Sequence, residues 1–88
     1  MIRPTSLPTR KQVQEANAAV LKHLREGTTD MSQEQLAEGS GVSRDCISQL
    51  ERAVRCPNLC TFIRNALALN NDPVLVLSMV MRRLRDEL

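Results

Sequence analysis

Residues 33–52 read QEQLAEGSGVSRDCISQLER, and the fold turns on this stretch. Ser32 and Gln35 have the spacing of a capping box, and Met31 and Leu36 that of a hydrophobic staple, so a helix starts at Ser32. Gly39-Ser40-Gly41 stops it, and Gly41 suits a turn position of positive φ. Val42 then precedes Ser43, a good N-cap for a further helix. That helix carries Ile47 and Leu50 on its inward face and ends near Arg52 or Ala53. Ala37 is small where the two helices cross closely. Arg44, Asp45, Ser48 and Gln49 fall on the outward side, with Arg44 and Ser48, and Asp45 and Gln49, one helical turn apart.

Two short helices joined by a tight, glycine-containing turn make a helix-turn-helix pattern, whose second helix has a face able to enter a DNA major groove. Working outward, Thr9 and Gln12 form another capping box, and Val13, Ala16, Val20 and Leu24 recur at helical steps. Gly27 is expected to close this first helix in a left-handed conformation. Cys56-Pro57-Asn58 breaks the pattern after the motif. Asn58 then caps a fourth helix with Leu59, Phe62, Ile63, Ala66 and Leu69 as its apolar set. Asp72-Pro73 is an N-cap followed by proline at the first helical position, and the last helix runs toward Leu88. The expectation is an all-α, five-helix domain. Residues 1–8, with Pro4 and Pro8, form an arm, 9–71 the helix-turn-helix domain, and 72–88 a C-terminal helix for dimerisation.

Composition narrows the classes. The chain has 88 residues, room for one small core. Aromatics make up 1%, supplied by Phe62, which argues against a sandwich or barrel. The net charge is +2, and residues 32–52 carry two arginines against four acids, a net −2. The motif alone does not attract phosphate. Its flanks must, with Arg10, Lys11, Lys22, Arg25, Arg55 and Arg64 as candidates beside the positive N-termini of helices two and three. The three cysteines, Cys46, Cys56 and Cys60, cannot all pair within the chain and lack zinc spacing. With no export signal or apolar run long enough for a membrane, the chain reads as cytosolic with reduced thiols. His23 stands alone, and no Ser/His/Asp set, phosphate loop or carboxylate pair is recognisable. Neither an enzyme nor a cofactor or metal protein is expected.

The run Ser32-Gln33-Glu34-Gln35-Leu36-Ala37, then Gly41-Val42-Ser43, then Ile47-Ser48-Gln49-Leu50-Glu51, then Pro57, resembles the lambda-repressor/Cro-like, or XRE-type, helix-turn-helix family over roughly residues 20–70. The resemblance implies a DNA-binding transcriptional regulator, commonly a dimeric repressor. It puts Gln33 at a phosphate contact, Arg44, Asp45, Ser48 and Gln49 at base-facing positions, Ser43 at the backbone, and Arg52 and Arg55 at a loop near phosphate. It also pairs Glu51 with an arginine of helix one, for which Arg25 is the candidate. The chain departs from the family in a longer Arg25–Ser32 connector, in Ala53 where glycine is frequent, in Asn65 at a usually apolar position, and in acidic Asp45 near DNA. Asp45 suits acceptance from a cytosine amino group or rejection of other sites.

Val74, Leu77, Met81, Leu84 and Leu88 recur at steps of three and four, the seam of a short coiled-coil-like contact, and are expected at a homodimer interface. Two-fold pairing sets two recognition helices about 34–36 Å apart over a pseudo-palindromic operator in double-stranded DNA. By resemblance, a regulator this small suits a plasmid, phage or toxin–antitoxin operon. Two other readings stay open: an antitoxin that also binds a toxin partner, and a protein–protein module without DNA contact.

Overall fold

The computed structural model describes residues 7–87, so most of the proposed arm and Leu88 lie outside it. The described residues form five α-helices and no strand: α1 (Arg10–Lys22), α2 (Gln33–Ser40), α3 (Arg44–Glu51), α4 (Leu59–Ala68) and α5 (Pro73–Glu87).

The local signals act where the sequence puts them. Thr9 and Ser32 each close a complete capping box with the glutamine three residues on. Ser43 Oγ accepts from Cys46 N–H at 3.1 Å, Asn58 Oδ1 from Thr61 N–H at 2.8 Å, and Asp72 Oδ1 from Val74 N–H at 2.9 Å. Each such cap contributes about 1 kcal/mol by satisfying an N–H that the helix cannot. Gly41 ends α2 at φ 73°, a left-handed conformation that lets α3 turn away sharply.

Gly27 does not behave as expected. It is not left-handed; α1 runs on into a π-helical turn, His23–Thr28. Thr29 N–H donates to Leu24 C=O at 3.1 Å, five residues back, and the Thr29 hydroxyl donates to Leu24 and Arg25 C=O. Asp30, at φ 53°, makes the left-handed turn instead. A π-turn accommodates one extra residue in a helix. It absorbs the long connector while keeping Leu24 inward and Arg25 directed at α3.

Leu36, Ile47, Leu50 and Leu69 are fully buried and lie where all the elements converge. Burying each such side chain is worth about 1.5–3 kcal/mol. Ala16, Val20, Leu21 and Leu24 join them from the first helix, Ala66 from α4, and Val76, Val80 and Leu84 from α5. Helix α1 packs on α3 and α5, and α2 packs on α3 and α4.

Two apolar assignments change. In α4, Leu59 and Ile63 are exposed, and the inward face carries Asn65 and Ala66. In α5, Val76, Val80 and Leu84, at i, i+4 and i+8, are the inward stripe. Leu84 is therefore core and is lost from the proposed dimer seam. Val74, Leu77 and Met81 stay exposed.

Candidate nucleic-acid interface

Helix α3 divides its residues between two faces. Ile47 and Leu50 are fully buried, and their anchoring turns Arg44 and Asp45 outward into solvent, with Ser48 and Gln49 half-buried beside them. Ser43 is exposed as the N-cap, so its hydroxyl serves the helix as an acceptor and its O–H is left to donate outward. Arg52 and Arg55 are exposed at and beyond the C-terminal end of α3. Arg44 Nε lies 3.3 Å from Glu34 Oε1, both side chains being well exposed. Such a pair is worth about 0–1 kcal/mol, so a phosphate or base acceptor can displace Glu34.

Behind this surface lies a buried network. Arg25 grips Glu51 with two hydrogen bonds, Nε to Oε2 at 2.6 Å and Nη2 to Oε1 at 2.8 Å. Arg25 Nη1 donates to Met31 C=O at 2.7 Å, and Gln33 Nε2 donates to Glu51 Oε1 at 3.1 Å. The Arg25 and Glu51 side chains are only 10% and 5% exposed. One carboxylate thus ties together the end of the first helix, the start of α2 and the end of α3. The hydrogen bond to Glu51 holds the Arg25 guanidinium above its ordinary range, against the burial that disfavours its charge. Burial alone pushes the Glu51 carboxyl up. The hydrogen bonds from Arg25 and Gln33, with the charges of Arg25 and Lys22, outweigh it and hold Glu51 below the ordinary carboxylate range.

The network corrects one flank assignment: Arg25 is buried against Glu51 and is not a surface phosphate contact. It also constrains Gln33. One amide N–H is committed to Glu51, which fixes the side chain at the first turn of α2 and leaves the second N–H outward-capable. The structure therefore brings Gln33, Ser43 and Arg44 to adjoining helix N-termini, with Asp45, Ser48 and Gln49 along α3. Sequence reasoning did not find Glu34 as the partner of Arg44. The signal was available, because an exposed acid near the start of α2 faces the start of α3 across a tight turn.

Among the described residues, no helix is long and apolar enough to cross a membrane.

Comparison with known proteins agrees with this geometry. A family model described as helix-turn-helix matches residues 21–75. No curated protein matches the chain significantly. A phenylalanine-for-tyrosine mutant of the restriction-modification controller protein C.Esp1396I is 26% identical, with a TM-score of 0.73 over 80% of this chain and 87% of that one. The same controller, as a tetramer in complex with its natural 35 base-pair operator, is 25% identical, with a TM-score of 0.74 over 82% of this chain and 93% of that one. The clp gene regulator ClgR from Corynebacterium glutamicum is 25% identical, with a TM-score of 0.76 over 96% of this chain and 83% of that one. Since the family match spans well over half of its 88 residues, the chain belongs to the XRE-type helix-turn-helix family of DNA-binding transcriptional regulators.

Proposed function

We propose that this protein is a homodimeric repressor that occludes a promoter by binding a pseudo-palindromic operator. The observation that carries the reading is the division of α3: Ile47 and Leu50 lock it to the core while Arg44 and Asp45 are exposed and Ser48 and Gln49 half-buried beside them. In this reading Arg44 and Gln49 choose the sequence, each worth about 1–3 kcal/mol against a wrong base. Asp45 accepts from a cytosine amino group, and Ser48 lies alongside. Gln33, Ser43, Arg52 and Arg55 hold the phosphates on either side and fix the register of α3 in the groove.

Pairing follows from α5. Val74 is 74% exposed, Leu77 50% and Met81 41%, a row of large apolar side chains that a lone chain leaves in water. Covering it with the same row of a second copy is the symmetric solution. The controller neighbour seen as a tetramer on operator DNA supports both binding and self-association for a chain of this shape.

The test is footprinting on the DNA upstream of the protein's own gene and its neighbours at two salt concentrations. A protected palindrome with half-sites about one helical turn apart, and affinity falling steeply with salt, is expected. Protection of a single half-site by a monomer overturns the paired reading. Absence of any protected site overturns the repressor.

A further inference from the structure

All three cysteines are free thiols. Two of them border the same pocket. Cys46 sits half-buried in the first turn of α3, its N–H bound to the Ser43 cap. Cys56 sits half-buried in the loop between α3 and α4. They are ten positions apart in sequence, yet both line one cavity of about 240 Å³ with Arg55, Pro57, Asn58 and Thr61. Cys60 is exposed and is not among the residues lining it.

We propose that Cys46 and Cys56 form a dithiol site that hydrogen peroxide closes to a disulfide, and that closure weakens the hold on DNA. The second half of the proposal rests on the DNA-reading role given above to α3 and Arg55. The chemistry balances in two steps. A thiolate sulfur of the pair attacks one peroxide oxygen, the O–O bond breaks, and a sulfenic acid forms as hydroxide leaves and is protonated to water. The second thiol then gives up its proton, its sulfur attacks the sulfenic sulfur, the S–S bond forms, and a second water departs. The two thiols are oxidised by two electrons, and the peroxide is reduced to two waters.

The placement gives the bond a consequence. A disulfide requires its two Cα atoms to stand about 4.4–6.8 Å apart, so closure ties the first turn of α3 to the loop across the cavity. Arg44 and Asp45 immediately precede Cys46, and Arg55 immediately precedes Cys56. Cross-linking therefore moves base-facing and phosphate-facing residues together. The loop's backbone hydrogen bonds back to α3 end with Val54 N–H to Gln49 C=O at 3.1 Å, so residues 55–57 are the part that yields. The reduced chain is the DNA-competent form.

The experiment treats the full chain with hydrogen peroxide, alkylates the remaining thiols and maps the peptides by mass spectrometry. Operator binding is measured in parallel by gel shift. The expected result is a loss of two hydrogens within one chain, Cys46 linked to Cys56, and Cys60 alkylated. Operator affinity falls about tenfold, the worth of one good contact, and dithiothreitol restores it. Cys60→Ser keeps the response, while Cys46→Ser and Cys56→Ser each abolish it and still bind DNA when reduced. Formation of only sulfinic or sulfonic acid, or of Cys60-linked dimers, overturns the dithiol site. A Cys46–Cys56 bond that leaves affinity unchanged overturns the switch. If the reduced chain binds no duplex, the DNA reading fails on its own, and the peptide map still decides the dithiol site.

Discussion

Replacing Glu51 with glutamine removes one charge and changes almost no volume, so it isolates what the buried carboxylate does. Glu51 accepts three hydrogen bonds, two from Arg25 and one from Gln33. A glutamine offers one oxygen and turns an NH₂ group toward the Arg25 donors. Arg25 keeps its charge with a side chain only 10% exposed. Removing one partner of a buried pair costs about 3–5 kcal/mol, chiefly because the other charge is stranded. The residual contacts, Nη1 to Met31 C=O and Nη2 to the half-exposed Glu26 carboxylate at 3.1 Å, keep this case at the lower end, about 3 kcal/mol. For a domain of this size that corresponds to a fall in Tm of about 12–24 °C. The chain has no Trp or Tyr, so the assay is urea unfolding followed by far-UV circular dichroism, at fixed protomer concentration because the pairing proposed for α5 adds stability. The pH dependence gives an independent check. The folded Glu51 carboxyl is held below its unfolded value, so its contribution is fully present above about pH 4.3 and is lost as pH falls through the folded value. The gap between the parent and Glu51→Gln must therefore narrow in acid. A change below about 0.5 kcal/mol at neutral pH, or a gap that stays constant down to pH 3, refutes the reasoning.

Ala53→Gly relieves a non-glycine residue held at φ 59°. The left-handed cost, less the added freedom of the unfolded glycine, leaves a gain of about 0.5–1 kcal/mol in thermal unfolding. Asn65→Leu removes a buried Oδ1 that has no hydrogen-bond partner, and is expected to raise stability by about 1 kcal/mol; destabilisation would mean that the amide is bonded in solution. Glu34→Gln frees Arg44 and removes an acid beside it, so operator affinity rises by up to about fivefold at low salt and the gain fades as salt is added. On α5 the two faces separate cleanly. Leu77→Asp keeps the circular dichroism spectrum and lowers the sedimentation mass to one chain, whereas Leu84→Ala costs about 2–5 kcal/mol of folding stability.

The capping residues are legible in the sequence because their effect is local. Thr9, Ser32, Ser43, Asn58 and Asp72 each bond a backbone N–H within three residues, and no distant contact has to be known. Gly41 is legible for the same reason. Gly27 is not, because the end of the first helix is set from afar. The π-turn presents Arg25 to a carboxylate 26 positions away, and nothing within the segment announces it. In α5 the pattern beginning at Val74 and the pattern beginning at Val76 converge on Leu84, so spacing alone does not assign that residue to one face. Helix α4 is apolar on two sides, and periodicity does not say which side is covered. Of the interface, the outward set on α3 is readable from its alternation with Ile47 and Leu50. The Glu34–Arg44 pair and the pocket that Cys46 and Cys56 share depend on how the turn and the loop fold back.

The folded arrangement also changes what the motif's charge means. Counted along the sequence, residues 32–52 carry a net −2, which argues against attraction to DNA. Glu51, however, is turned inward and bound by Arg25, which lies outside the counted segment, and Glu34 is paired with Arg44. Of the motif's four acids, Glu38 and Asp45 are left exposed without an ion pair among the described residues, and of these two only Asp45 lies on the outward side of α3. The face of α3 proposed to meet a duplex is therefore close to neutral, with Arg52, Arg55, Arg64 and the helix N-termini around it. A near-neutral reading face binds non-specific DNA weakly, because counterion release supplies most of that affinity. In the reading proposed above, discrimination then rests on how well Arg44, Asp45 and Gln49 match base edges, and tight binding requires two such faces acting together. The buried Arg25–Glu51 pair thus links stability to recognition. It fixes α3 against the core and keeps a fourth negative charge off the face proposed to approach phosphate.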